Sequence, residues 1–150
     1  MPYTFVTVPT MTATSSCSNL LMRDASKPSG TIYSTGSSRS AYSSNMDCRW
    51  KLTSNAVIEL LFYYFATESS ADYVSVYDGD STSAPLIGRF SGSSLPAPIR
   101  SSSTKLYVRF TSDGSLQYSG FNARYQGIFI RRSDNLNRKS AVIFISGLPG

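Results

Sequence analysis

The stretch Asp72-Tyr73-Val74-Ser75-Val76-Tyr77-Asp78-Gly79 decides the fold class. Val74 and Val76 alternate with Tyr73, Ser75 and Tyr77, so one face is apolar and the other polar and aromatic, the period-two pattern of a half-buried strand. Such β-branched and aromatic residues suit a pleated surface, and Asp78-Gly79-Asp80 supplies the turn that ends the run. The pattern returns downstream. Leu106, Val108 and Phe110 face one way and Tyr107, Arg109 and Thr111 the other, ahead of a second Asp-Gly turn at Asp113-Gly114.

Working outward, short extended segments fall at 30–34, 49–53, 86–90, 98–101 and 120–127, separated by turn formers such as Ser91-Gly92-Ser93. Residues 57–65 form a longer apolar run, expected to be a central strand covered on both faces. No dozen residues carry a helical period. Short strands punctuated by turn signals predict an all-β chain, a two-sheet antiparallel β-sandwich. Residues 1–16 alternate weakly and read as an edge strand or as a leader. The segment 131–150 holds a charged linker and then a β-prone run at 141–145, either one more strand of the same domain or a strand lent to a neighbouring copy. The expected organisation is an N-terminal extension (1–16), a sandwich domain (17–130) and a basic tail (131–150).

Composition narrows the chemistry. A chain of 150 residues is one domain by length. It has no histidine and only two cysteines, which excludes Ser-His-Asp and Cys-His nucleophiles, His-ligated metals and four-thiolate sites. Carboxylates, hydroxyls and amides remain, oxygen donors that suit calcium or magnesium, and no enzyme activity is expected. The net charge is +5, of which Arg131, Arg132, Arg138 and Lys139 against Asp134 place +3 in the tail. A basic tail on a near-neutral body, with no glycine-rich phosphate loop or RNA-binding aromatic motif, argues against a nucleic-acid partner. No run approaches the ~20 apolar residues of a membrane span. Residues 1–10 lack the apolar core of a secretory signal, so the expectation is a mature segment or a piece of a longer polypeptide.

The motifs then fall into a specific order. Cys17 comes first, followed by Gly30-Thr31-Ile32-Tyr33-Ser34 and by Tyr42-Ser43-Ser44-Asn45-Met46-Asp47-Cys48-Arg49-Trp50. Phe62, Phe65 and Glu68 precede the opening stretch at 72–79, after which come Ile87-Gly88-Arg89-Phe90-Ser91-Gly92, Phe110-Thr111-Ser112-Asp113 and Gly120-Phe121-Asn122-Ala123-Arg124-Tyr125. This order resembles the CUB domain, the extracellular β-sandwich module of complement proteases, tolloid-like proteases and spermadhesins. The resemblance implies a jelly-roll-like sandwich and a non-catalytic role. It pairs Cys17 with Cys48 as the first of the family's two bridges, while Ser69 (or Ser70) and Ser91 stand where the second would be. A bridge closing about thirty residues contributes roughly 3–4 kcal/mol and implies an oxidising compartment, so secretion or the cell surface.

Many CUB domains hold one Ca2+ through a Glu and two Asp, and the matching positions are Glu68, Asp72 and Asp113. Three acids at one end of a sandwich repel one another unless a divalent cation neutralises them. The Ser115 carbonyl resembles a further ligand, Leu116 replaces a position that is often polar, and Tyr42 matches a tyrosine that orients the glutamate. Only Ser69-Ser70-Ala71 separates Glu68 from Asp72, a shorter spacer than the family's usual one. Glu68 and Asp113 are the candidates to accept a Lys or Arg of a partner. The implied function is an extracellular, calcium-dependent binding module for a protein or glycan. The alternative is a structural subunit of an extracellular fibre or surface coat, assembled through its terminal strands.

Overall fold

Alternating core and surface residues sort the chain into two antiparallel sheets. The computed structural model describes residues 29–34, 40–131 and 142–145. Their strands are β1 (Ser29–Tyr33), β2 (Asp47–Thr53), β3 (Val57–Ala66), β4 (Tyr73–Tyr77), β5 (Leu86–Phe90), β6 (Ile99–Arg100), β7 (Lys105–Thr111), β8 (Gly120–Arg131) and β9 (Val142–Ile145). One sheet runs β1-β8-β3-β6, with β9 also on β8, and the other runs β2-β7-β4-β5. Every pairing is antiparallel. Among the described residues no helix is long and apolar enough to cross a membrane.

Register follows the hydrophobic pattern, because a one-residue slip would turn each inner side chain outward. Val74 lies opposite Phe110 and Val76 opposite Val108, and all four are fully buried. On the facing sheet Ile58, Leu60 and Phe62 of β3 point inward with Ala123 and Tyr125 of β8. Aromatic edges join the two layers. The Phe121 ring meets Trp50 at 5.6 Å and Phe110 at 5.7 Å across the layers, and Phe62 of its own sheet at 5.8 Å, all edge-on, the preferred geometry of aromatic pairs.

The run at 57–65 departs from expectation. β3 is central in its sheet, but only one of its faces is covered, and Tyr63 and Tyr64 are 59% and 42% exposed. An apolar run is consistent with burial on both faces without requiring it, and here tyrosine hydroxyls make the outer face tolerable in water. Strand β8 also continues beyond the expected 120–127 as far as Arg131, where Ile128–Arg131 pairs with β9 of the same chain. Residues 1–16 and Cys17 lie outside the described residues.

Candidate metal centre

One end of the sandwich collects the loops that follow β3 and β7 and precede β2 and β4. Thr111 lies opposite Asp47 and Tyr73, so chain running past this rung delivers Asp72 and Asp113 to the same corner. Glu68 arrives from β3. Its carbonyl accepts hydrogen bonds from the N–H groups of Asp72 (3.1 Å) and Ala71 (3.4 Å). The short spacer therefore closes as a tight turn, with Ser70 in the left-handed region at φ +61°. Carboxylate oxygens of Glu68, Asp72 and Asp113 all lie within 4.8 Å of one another. The sequence-predicted trio is thus brought together, half-buried, buried and exposed respectively.

Each acid has its own support. Asp72 is 1% exposed. Its Oδ2 accepts the Tyr42 hydroxyl, and its Oδ1 accepts the Asp113 backbone N–H at 2.8 Å. The Tyr42 oxygen also accepts the Glu68 N–H at 3.0 Å. Tyr42 therefore touches the Asp72 carboxylate and the Glu68 backbone, rather than the Glu68 carboxylate that the resemblance implied. That carboxylate is engaged elsewhere, by the Ser115 hydroxyl at 2.8 Å. Burial, and next the Asp72 carboxylate, push the Tyr42 phenol well above its ordinary value, so it stays a protonated donor.

Ser115 is the bridge between the exposed acids. Its hydroxyl lies 2.8 Å from Glu68 Oε2 and 2.7 Å from Asp113 Oδ1, and its N–H donates to the same Asp113 oxygen at 2.8 Å. The Ser115 N–H, followed by its hydroxyl, holds the Asp113 carboxyl below the usual carboxylate range. A hydroxyl has one proton and cannot satisfy both carboxylates at once. The Ser115 carbonyl, the atom the resemblance nominated, accepts a hydrogen bond from Gln117. Leu116 is 62% exposed beside it.

Three supporting residues escaped the sequence reading. The Thr67 hydroxyl donates to the Asp72 carbonyl at 3.1 Å and accepts the Gly92 N–H at 3.0 Å, while the Thr67 N–H reaches the Gly92 carbonyl at 2.8 Å. These bonds, with Ser70 N–H donating to Ser91 Oγ at 3.1 Å, tie together the loops that a second disulfide would join. Ser112 Oγ donates to the Ser43 carbonyl at 2.7 Å and accepts the Met46 N–H at 2.9 Å. Asn45, at φ +57°, donates its N–H to the Asp113 carbonyl at 2.8 Å. Threonine and serine are too common in this chain for sequence to single these out, and asparagine's tolerance of the left-handed region is the one local signal that could have found Asn45.

The donor set is all oxygen, three carboxylates from two loops converge on one point, and no lysine or arginine pairs with them among the described residues. Such a set fits a hard divalent cation. A family model for the CUB domain matches residues 17–125. The chain belongs to the CUB domain family. Relatives agree. Cubilin of Sus scrofa is 45% identical over 97 residues, 59% of this chain and 3% of that protein. Multiple epidermal growth factor-like domains protein 8 of Rattus norvegicus is 40% identical over 88 residues, 57% of this chain and 3% of its own length. Tolloid-like protein 2 of Mus musculus is 36% identical over 88 residues, 55% of this chain and 9% of its own. This CUB chain therefore spans only a small part of those relatives.

Solved structures carry the same fold. The CUB1-EGF-CUB2 domains of rat MASP-1 superpose with a TM-score of 0.61 at 25% identity, covering 70% of this chain and 42% of that one. The MASP-1 CUB2 domain bound to Ca2+ gives a TM-score of 0.59 at 24% identity, covering 67% of this chain and 94% of that one. In these relatives CUB domains are non-catalytic, extracellular or cell-surface modules for protein interaction. Cys48 is wholly buried in β2, and its expected partner, Cys17, lies outside the described residues.

Proposed function

We propose that this CUB domain is an extracellular binding module whose partner-facing loops are ordered by one Ca2+. Glu68, Asp72 and Asp113 would hold the ion, with an oxygen of Ser115 beside them, and Tyr42 would fix the Asp72 carboxylate. The observation that carries the reading is the convergence of these carboxylates within 4.8 Å, on loops already tied by Tyr42, Thr67 and Asn45. The bound ion supplies positive charge that lets the three acids coexist and stiffens the loops bearing them. Asp72 is buried and would be spent on the ion and on Tyr42. The more open Glu68 and Asp113 keep oxygens for a lysine or arginine of a protein or glycan-bearing partner, a charge-assisted contact favoured in a partly desolvated corner. The MASP-1 CUB2 domain, which shares this fold, was solved bound to Ca2+.

A Cys17–Cys48 bridge belongs to the proposal, in keeping with the extracellular setting of the relatives. The alternative, assembly through a lent terminal strand, is less favoured because β9 lies against β8 of its own chain. Equilibrium dialysis against radioactive calcium tests the reading. The parent protein should hold one ion per chain and Asp113→Ala none, whereas equal uptake by both would remove Asp113 from the site.

A further inference from the structure

The outer face of the four-stranded sheet is made by the residues that alternate with the core. Register places Arg49, Arg109, Ser75 and Arg89 in one row across β2, β7, β4 and β5. Lys51, Tyr107, Tyr77 and Leu86 form the next row, and Lys105 lies opposite Thr53 beyond it. With strands about 4.8 Å apart, the guanidinium row spans roughly 14 Å. Five cations thus share this face with two carboxylates. Asp47 accepts from both Arg49 and Arg109, at 2.7 and 2.9 Å, and Asp80 holds Lys105 at 3.3 Å and Lys51 at 3.9 Å. The Arg89 guanidinium lies over the Tyr73 ring, 3.5 Å from its centroid, and has no carboxylate partner among the described residues. The near-neutral net charge of the body conceals this segregation, since three of its acids are gathered at the metal-centre end.

We propose that this face binds a linear sulfated polysaccharide. Guanidinium forks match the oxygens of a tetrahedral sulfate much as they match phosphate, and a row of them suits anions repeated along an extended chain. The aromatic residues decide against single-stranded nucleic acid. Tyr107 is 6% exposed, Tyr77 packs edge-on against it at 6.1 Å, and one face of Tyr73 is taken by Arg89. They are poorly placed to stack with bases. Asp47 acts as an internal stand-in for a sulfate, keeping Arg49 and Arg109 together in the absence of ligand. The site borders the corner of Glu68, Asp72 and Asp113 through Asp47 and Tyr73 but uses none of those three acids, and it works without a metal ion.

The test is calorimetric titration of the full chain with a heparin octasaccharide, in EDTA, from 50 to 200 mM NaCl. Two charge-matched variants are compared, Arg49→Ser with Arg89→Ser on this face and Arg100→Ser with Arg124→Ser on the other sheet. The first should lose at least tenfold in affinity and flatten the salt dependence by about two units, one per cation. The second should stay within about twofold of the parent. Asp47→Asn, which releases two guanidiniums, should bind about two- to fivefold tighter. If the serine variant does not fold, Arg49→Lys with Arg89→Lys decides the matter, by losing about threefold in affinity while keeping the salt slope. Equal losses in the two charge-matched variants, no binding by the parent, or equally tight binding of a DNA duplex or polyglutamate of matched charge would overturn the proposal.

Discussion

Replacing Tyr42 by phenylalanine removes one oxygen atom from the corner where the acids meet. The ring keeps its place, edge-on to Phe110 at 5.1 Å, so no cavity forms. Two hydrogen bonds are lost. The hydroxyl no longer donates to Asp72, and a bond to a carboxylate contributes about 1.5–3 kcal/mol. The part-buried Glu68 N–H, 3.0 Å from that oxygen, is left without its acceptor, at about 1 kcal/mol where water reaches it incompletely. Asp72 retains the Asp113 N–H at 2.8 Å on its other oxygen, so its carboxylate is weakened and not stranded. The sum is about 2.5–4 kcal/mol, or roughly 5–16 °C in melting temperature for a chain of this size. Urea unfolding in EDTA measures it, followed by the fluorescence of Trp50, the only tryptophan. Calcium affinity should fall about 10- to 100-fold as well, because the residue that orients a ligand is gone. A loss below about 0.5 kcal/mol in EDTA would refute the argument that this hydroxyl holds the acids in place.

Further outcomes are expected. Gly120 has φ +77°, and a Cβ there would collide with Ser34 Oγ and stand 3.3 Å from the Tyr42 ring; Gly120→Ala should therefore cost at least about 2 kcal/mol by thermal melting. Gly114→Ala, which meets nothing closer than 3.7 Å, should cost less than about 0.5 kcal/mol. The Arg109 and Arg49 guanidiniums hold the Asp47 carboxyl well below the usual carboxylate range. Its stabilising contribution is therefore complete above the unfolded pKa of about 3.9 and fades as pH falls toward the lower folded value. The stability difference between the parent and Asp47→Asn, at most about 1 kcal/mol for a pair this open to solvent, should be full at pH 6 and shrink below about pH 4; a difference that grows on acidification contradicts the assignment. Iodoacetamide in denaturant should label no cysteine before reduction and two after it, and reduction should destabilise the fold by roughly 3–4 kcal/mol.

Much of this architecture is visible in the chain itself. Alternation in 72–77 and 105–111 assigned inner and outer faces correctly, because Val74, Val76, Leu106, Val108 and Phe110 are buried and Tyr73, Ser75, Tyr77 and Arg109 lie on the opposite face. The acidic trio was legible only through motif order, since no local pattern links Glu68 and Asp72 to an aspartate some forty residues on. What remained hidden is long-range. The Ser115 hydroxyl between two carboxylates depends on how the loop after β7 folds back. The support from Thr67 depends on two loops meeting. The basic face is assembled from Arg49, Arg109 and Arg89, which are scattered along the sequence and become neighbours only through strand register. Counting charge by segment placed the positive excess in the tail and missed its concentration on one side of a sheet.

Thermal melting in 10 mM CaCl2 and in EDTA tests the central claim most directly. Extracellular calcium modules bind with dissociation constants of about 10⁻⁴–10⁻³ M, so this concentration should add about 1.4–2.7 kcal/mol, or roughly 3–11 °C. Asp113→Ala should lose the shift, and 10 mM MgCl2 should produce a smaller one in the parent. Superimposed parent melts in calcium and in EDTA, or an undiminished calcium shift in Asp113→Ala, would contradict the assignment of Glu68, Asp72 and Asp113 as a calcium site.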